Sequence, residues 1–376
     1  FNFFSENFVS LFETFGIKLD WVTLDILLPV GISFYTFQAL SYTIDIYQHK
    51  MKPTHDMVAF FAFISFFPQL VAGPIERATN LLPQFFKVRT FDYGQAVDGM
   101  QQILYGLFKK MVIADNCSRL VDIVFSNYQQ LGSIQLFLGA VFFTFQIYCD
   151  FSGYSDMAIG LGKMFGFHIN ENFNYPYIAT SIKDFWRRWH ISLSTWFKEY
   201  LYIPLGGNRE GKFKTYRNLM IVFFMTGLWH GASWNFVVWG LFHGVFLVLE
   251  RMLPIEKFLR FRLIQNIYAL LVVMVGWVFF RAENLTAALD YLKRMFVPYK
   301  TDVYSAYLSN EFMMVAALGL VSCGFLTLIF DKLPVKTEYK FGFLRLVNPA
   351  WCAVIAYFSV LLLASNTYNP FIYFRF

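Results

Sequence analysis

The sequence predicts an all-α polytopic membrane protein, and three observations carry that reading. Apolar residues fill 57% of the 376 positions and charged ones only 15%, more apolar surface than a soluble domain of this length buries. Hydrophobic runs approaching the ~20 residues that cross a bilayer recur along the chain. The lysines and arginines gather in loops beside those runs. That is a membrane-topology pattern and not the basic face of a nucleic-acid binder, despite a net charge of +6.

Taken in order, the runs are Ile26 to Tyr47, Met57 to Val71, Ile134 to Tyr148, Trp234 to Leu249, Ile267 to Phe280, Phe312 to Phe330 and Leu346 to Ala364. Shorter or more polar helical candidates lie between them. Three basic loops mark the cytoplasmic side: Arg209, Lys212, Lys214 and Arg217; then Arg251, Lys257, Arg260 and Arg262; then Lys332, Lys336, Lys340 and Arg345. A hairpin, Asn218 to Glu250, joins the first two. Two spans join the second and third, and the last run carries the C-terminus outside. Cys117, Cys149, Cys323 and Cys352 have no metal-type spacing, so neither a disulfide nor a metal site is expected. The chain opens at Phe1 without a methionine or signal peptide. It reads as a single transmembrane domain over residues 1–376 whose upstream helices are missing.

The candidate site lies between Ser181 and Asn235, where His190 and His230 stand forty positions apart in strongly apolar surroundings. An ionisable side chain at membrane depth is costly to keep and marks a functional site by default. From Asn218 the helix advances about twelve residues to Gly231, or ~18 Å, near the middle of a ~30 Å core. Gly227 and Gly231 flank Trp229 and His230 and permit a helix break, which is tolerated at that depth only beside a cavity. The plainer alternative is a histidine satisfied by a backbone carbonyl.

At 100° per residue, Trp186, Trp189, His190, Leu193, Trp196, Phe197 and Tyr200 share one helical face. Such a helix suits an interfacial anchor. The sharper reading makes His190, Arg187 and Arg188 the lining of a cytoplasmic mouth for an anionic thioester such as coenzyme A or phosphopantetheine. A third constellation, Asp150, Ser152, Tyr154, Ser155 and Asp156, follows the run ending at Cys149. Asp150, with Ser152 and Tyr154, is expected to support the histidines from behind, and Asp156 to cap the next helix.

The segments "FWRRWHISLSTWFKEYLYIPLGGNR", "TGLWHGASWNFVVWGLFHG", "YCDFSGYSDMAIGLGKMFGF", "GISFYTFQALSYTIDIY" and "FFPQLVAGPIER" together closely resemble the membrane-bound O-acyltransferase family. Within it they resemble the bacterial branch that acetylates alginate or peptidoglycan and transfers D-alanine to teichoic acid. The resemblance runs from about Leu24 to the C-terminus. It implies a helical bundle around a central tunnel with re-entrant and interfacial helices, with His230 as the essential histidine and His190 as the second. It implies no bound cofactor and an acetyl-CoA or acyl-carrier-protein thioester as donor. The setting would be the bacterial inner membrane, with an extracytoplasmic polysaccharide acceptor and a periplasmic SGNH-type acetyltransferase or an acyl carrier protein as partners. Related systems suggest that the tail "NPFIYFRF" carries an acyl relay at Tyr373, although aromatics at a membrane exit also form an interfacial belt.

The expected mechanism has His230 as general base for the attacking hydroxyl and Asn235 or Trp229 as donors to the thioester carbonyl. With Trp186 and Trp189 these residues would line the donor path. No nucleophile elbow of hydrolase type is present. A polysaccharide or acyl-group transporter is the non-enzymatic alternative, but it would ordinarily show an internal repeat, and none is seen at comparable spacing.

Overall fold

A computed structural model describes residues 2–13, 31–253, 258–298, 309–325, 349–365 and 371. Among them the regular structure is helical throughout. The helices run α1 (Asn2–Glu13), α2 (Ile32–Tyr47), α3 (Met57–Ile64), α4 (Ala78–Phe85), α5 (Tyr93–Phe108), α6 (Asp115–Ser126), α7 (Ser133–Met164), α8 (Ile182–Arg188) and α9 (Ile191–Phe197). They continue with α10 (Lys212–His230), α11 (Trp234–Met252), α12 (Arg262–Arg281), α13 (Leu285–Phe296), α14 (Asn310–Ser322) and α15 (Pro349–Ser365). Among the described residues, α7, α11 and α12 are long and apolar enough to cross a membrane, and α14 and part of α15 are shorter apolar helices.

Three sequence expectations need correction. The run Met57 to Val71 yields only the eight residues of α3, because Pro68 lacks an N–H and disfavours helix at the residue before it. The run ending at Tyr148 does not end a helix: α7, 32 residues long in all, continues through the polar segment to Met164. Asp156 therefore caps nothing. Finally, the amphipathic helix expected across Ser181 to Tyr200 is two short helices with a break at Trp189–His190. Lys257, Lys332, Lys336, Lys340, Arg345 and Tyr373 lie outside the described residues.

The bundle is organised on α7. Helix α5 lies against it so closely that a Cβ on Gly106 would strike the Gly153 carbonyl and one on Gly99 the Gly160 carbonyl. Small residues repeated along both helices are what allow backbones to touch in this way. The α5 helix then passes into a π-helical turn, Lys109–Ala114. Its extra residue per turn shifts the register and turns Lys109 and Lys110 toward α7. The α10–α11 hairpin is equally tight, with Gly227 against Phe236 and Gly240 against Phe223. Asn235, at the start of α11, donates to the carbonyls of Phe279 (3.4 Å) and Ala282 (3.0 Å) and fastens the hairpin turn to the far end of α12.

Candidate functional site

His230 is the last residue of α10, followed by the non-helical Gly231, so the helix does break where the glycine spacing predicts. Its position along the bundle differs from expectation. Because α10 starts at Lys212 and not at Asn218, His230 is eighteen residues along, a rise of ~27 Å. It meets Phe280, the penultimate residue of α12, at a ring separation of 5.1 Å. His230 thus stands at the C-terminal ends of α10 and α12 and not half-way along them.

His190 is wholly buried at the break between α8 and α9, with a left-handed backbone (φ 43°). It is not the half-exposed residue of an interfacial anchor. A non-glycine residue in that conformation costs on the order of 1 kcal/mol, and the surrounding structure holds it there. The 172–174 segment is strapped across the break, with Ile191 N–H donating to the Asn172 carbonyl (2.9 Å) and Asn174 N–H to the Arg188 carbonyl (2.9 Å). The His190 ring meets Phe151 (4.7 Å), Trp229 (6.0 Å) and Phe34 (6.5 Å). Trp229 in turn touches His230 (4.6 Å), so one indole stands against both histidines.

The basic ends of α10 and α11 open into a cavity of about 830 Å³, within the size range of ligand sites. Lys183, Arg187, Lys198, Arg209 and Arg251 line it, with Glu250 as the single acid. Glu250 is already engaged, accepting from the N–H groups of Ile182 (2.6 Å) and Lys183 (3.0 Å) at the start of α8. None of the five cations forms an ion pair among the described residues, so the cavity presents positive charge. Its inner wall includes Trp186 and Thr226, and Thr226 precedes His230 by one helical turn on the same face. Trp186 meets Trp239 (5.8 Å), and Trp239 meets His230 (4.9 Å). Two indoles therefore separate the inner end of the cavity from the histidine.

The sequence-predicted site residues divide accordingly. Trp186 and Arg187 line the cavity. Arg188 does not: it pairs with Asp184 (3.0 Å) and donates to the Asn174 carbonyl (3.2 Å). Trp189 is in the core, stacked on Phe185 and against Trp277. Asn235 spends its amide on the end of α12, and its oxygen accepts from the Ser233 hydroxyl. Asp150 accepts from Lys110 Nζ (2.6 Å), which also reaches Asp115 (2.9 Å). Ser152 and Asp156 both hold Lys109 Nζ, at 2.9 and 2.5 Å. Breaking a buried pair of this kind costs about 3–5 kcal/mol. The Tyr154 ring faces Phe371 (4.8 Å), which also lies 4.9 Å from Lys110 Nζ. The residue two places before Tyr373 is thereby brought onto α7.

Four contributors went unnoticed in the sequence. Lys109 and Lys110 partner the acids across forty or more positions. Asn172 receives His190. His243, mid-way along α11, is wholly buried against Trp186 (5.2 Å) and Trp239 (5.5 Å), and neither of its ring nitrogens has a hydrogen-bond partner among the described residues. A third histidine in an apolar run was the available signal. No group of residues among those described can hold a metal ion.

Residues 52–285 match the family described as "MBOAT, membrane-bound O-acyltransferase family". The chain is 39% identical, over its whole length and 80% of the relative's, to a "Probable alginate O-acetylase AlgI" of Pseudomonas putida. To the protein of the same name from Azotobacter vinelandii it is 47% identical, over 78% of the chain and 59% of the relative. A "Peptidoglycan O-acetyltransferase" of Helicobacter pylori is 41% identical over 78% of the chain and 60% of its own length. The chain thus spans about three fifths of the length of the latter two.

Proposed function

We propose, from the premise that this chain belongs to the membrane-bound O-acyltransferase family, that it moves an acetyl group from a thioester donor to hydroxyls of an extracytoplasmic polysaccharide such as alginate. The observation that carries this reading is the cationic cavity, which opens among the basic ends of α10 and α11 and closes one helical turn from His230. Arg187, Lys198, Arg209 and Arg251 suit the phosphates of acetyl-CoA or of a carrier-bound phosphopantetheine. The pantetheine arm would then run along Leu219 to Thr226 and bring the thioester past Trp186 and Trp239.

At His230 the acceptor hydroxyl gives its proton to the imidazole as its oxygen bonds to the acyl carbon. The carbon–sulfur bond breaks, and the proton leaves on the thiol. Trp229, beside both histidines, is the better placed of the two carbonyl donors read from the sequence, because the Asn235 amide is already committed to α12. Asp150 and Ser152 act at a distance, by holding the lysines that lock α5 on α7. The setting is a bacterial inner membrane, with a periplasmic SGNH-type acetyltransferase as the outer partner and an acyl carrier protein as an alternative donor. Acetyl is favoured over D-alanyl because the three relatives named above carry acetyl-transfer names.

The two neighbouring arginines test the donor path. In membranes supplied with acetyl-CoA, Arg187→Ala should raise KM by about tenfold with little change in kcat, the pattern of lost ground-state binding. Arg188→Ala should leave KM unchanged and lower the amount of folded protein, since its partners are Asp184 and a backbone carbonyl. Equal KM values in wild type and Arg187→Ala would remove the cavity from the donor path. Absence of any thioester turnover would favour the transporter reading.

A further inference from the structure

We infer that Asn172 is a positioning residue that fixes His190 in one tautomer, proton on Nδ1, so that Nε2 offers a bare lone pair to a second hydroxyl of the acceptor, beside the one that attacks. The inference deepens the acyl-transfer reading and rests on it for the identity of that hydroxyl. The tautomer itself follows from hydrogen bonds alone.

Asn172 is wholly buried, and its side-chain oxygen is a point of convergence. The Ser192 backbone N–H points to it at 3.2 Å and the Ser192 hydroxyl at 2.8 Å. A backbone N–H can only donate, so the Asn172 atom facing it is the carbonyl oxygen and not the amide nitrogen. The Asn172 amide nitrogen faces the other way, 3.4 Å from the Ser155 hydroxyl. His190 Nδ1 lies 3.1 Å from that same oxygen. An oxygen with no proton can only accept, so Nδ1 is the protonated nitrogen and Nε2 of the neutral ring is not.

Nε2 is buried and has no hydrogen-bond partner among the described residues. Its ring is surrounded by Phe151, Phe34 and Trp229. A buried acceptor left unmade costs roughly 1–3 kcal/mol, and the left-handed backbone of His190 adds strain; together they mark a position kept for a substrate group. The elements around it hold it rigidly. Ile191 N–H is bound to the Asn172 carbonyl, and the Ser192 hydroxyl accepts from Ile75 N–H at 3.0 Å. The division of labour that results gives His230 the proton of the attacking hydroxyl and His190 Nε2 the hydrogen bond from a neighbouring hydroxyl that orients the acceptor.

The test is nitrogen NMR of histidine-labelled protein in lipid nanodiscs, with the His190 signals assigned by their loss in His190→Gln. The expected result is a protonated Nδ1 and an unprotonated Nε2 in the wild type. In Asn172→Leu the ring should pass partly or wholly to the opposite tautomer, with kcat reduced on the order of 10²-fold and the thioester KM within about twofold. Asn172→Asp keeps an acceptor oxygen and should return the Nδ1–H signal. Its rate should recover to within about tenfold of wild type at alkaline pH only, because a carboxylate beside the ring favours the doubly protonated form at lower pH. A wild-type His190 protonated on Nε2 would overturn the inference, as would an Asn172→Leu variant with unchanged signals and rate. The nitrogen signals decide the tautomer even in a preparation that transfers no acetyl, so failure of the acyl-transfer reading and failure of this one are told apart.

Discussion

His230→Ala is expected to abolish acyl transfer while leaving membrane insertion and abundance nearly unchanged. The imidazole ends α10, where it meets the rings of Trp229, Trp239 and Phe280 at steep angles. The hairpin is held independently by Gly227, Gly240 and the Asn235 bonds to α12. Removing a general base typically costs 10²–10⁴ in rate, about 3–5 kcal/mol of barrier. His230→Gln keeps much of the bulk and a hydrogen-bonding group but no titratable nitrogen, so it should be as inactive as alanine. The check is acetyl content of the envelope polysaccharide beside immunoblot abundance. Near-normal acetylation in either variant would remove His230 from the chemistry.

Tyr373→Phe should be nearly as severe if the tail relays the acyl group. Phe371, two places before Tyr373, lies against Tyr154 of α7 and near Lys110. The substitution keeps the ring and its packing and removes only the oxygen on which an ester would form. The relay predicts almost no acetylated polymer, together with an acetyl-sized mass increment on the wild-type C-terminal peptide that the variant lacks. An interfacial aromatic belt predicts a wild-type rate and no increment, and that result would end the relay.

What the sequence made legible follows from the range of each interaction. The membrane class, the hairpin and the break at Gly231 are local signals of composition, glycine spacing and charge. The break at His190 was not legible, because the apolar face runs on at helical period through Trp189 and Leu193 without a glycine or proline. What opens the helix there is the distant strap at Asn172 and Asn174. Asp156 looked like a cap for the same reason: its lysine comes from α5 and is turned inward by a π-helical turn that no periodicity forecasts. The start of α10 was not legible because Lys212 to Arg217 reads as a basic loop and folds as the first turns of the helix.

The account depends most on the thioester reaching His230 through the cationic cavity, and one substitution at the inner end tests that directly. Thr226 lines the cavity one turn before His230, and its hydroxyl donates to the Val222 carbonyl of its own helix. Thr226→Trp would fill the inner end of the cavity beside Trp186 and leave both histidines in the sequence. The measurement is the rate of transfer from radiolabelled acetyl-CoA to polysaccharide in membranes matched for protein abundance, with CoA binding followed alongside. The account predicts a rate reduced on the order of 10²-fold with CoA, held at the outer cations, still bound within about threefold of wild type. A wild-type transfer rate in Thr226→Trp would contradict it, because the acetyl group would then be reaching His230 by another route.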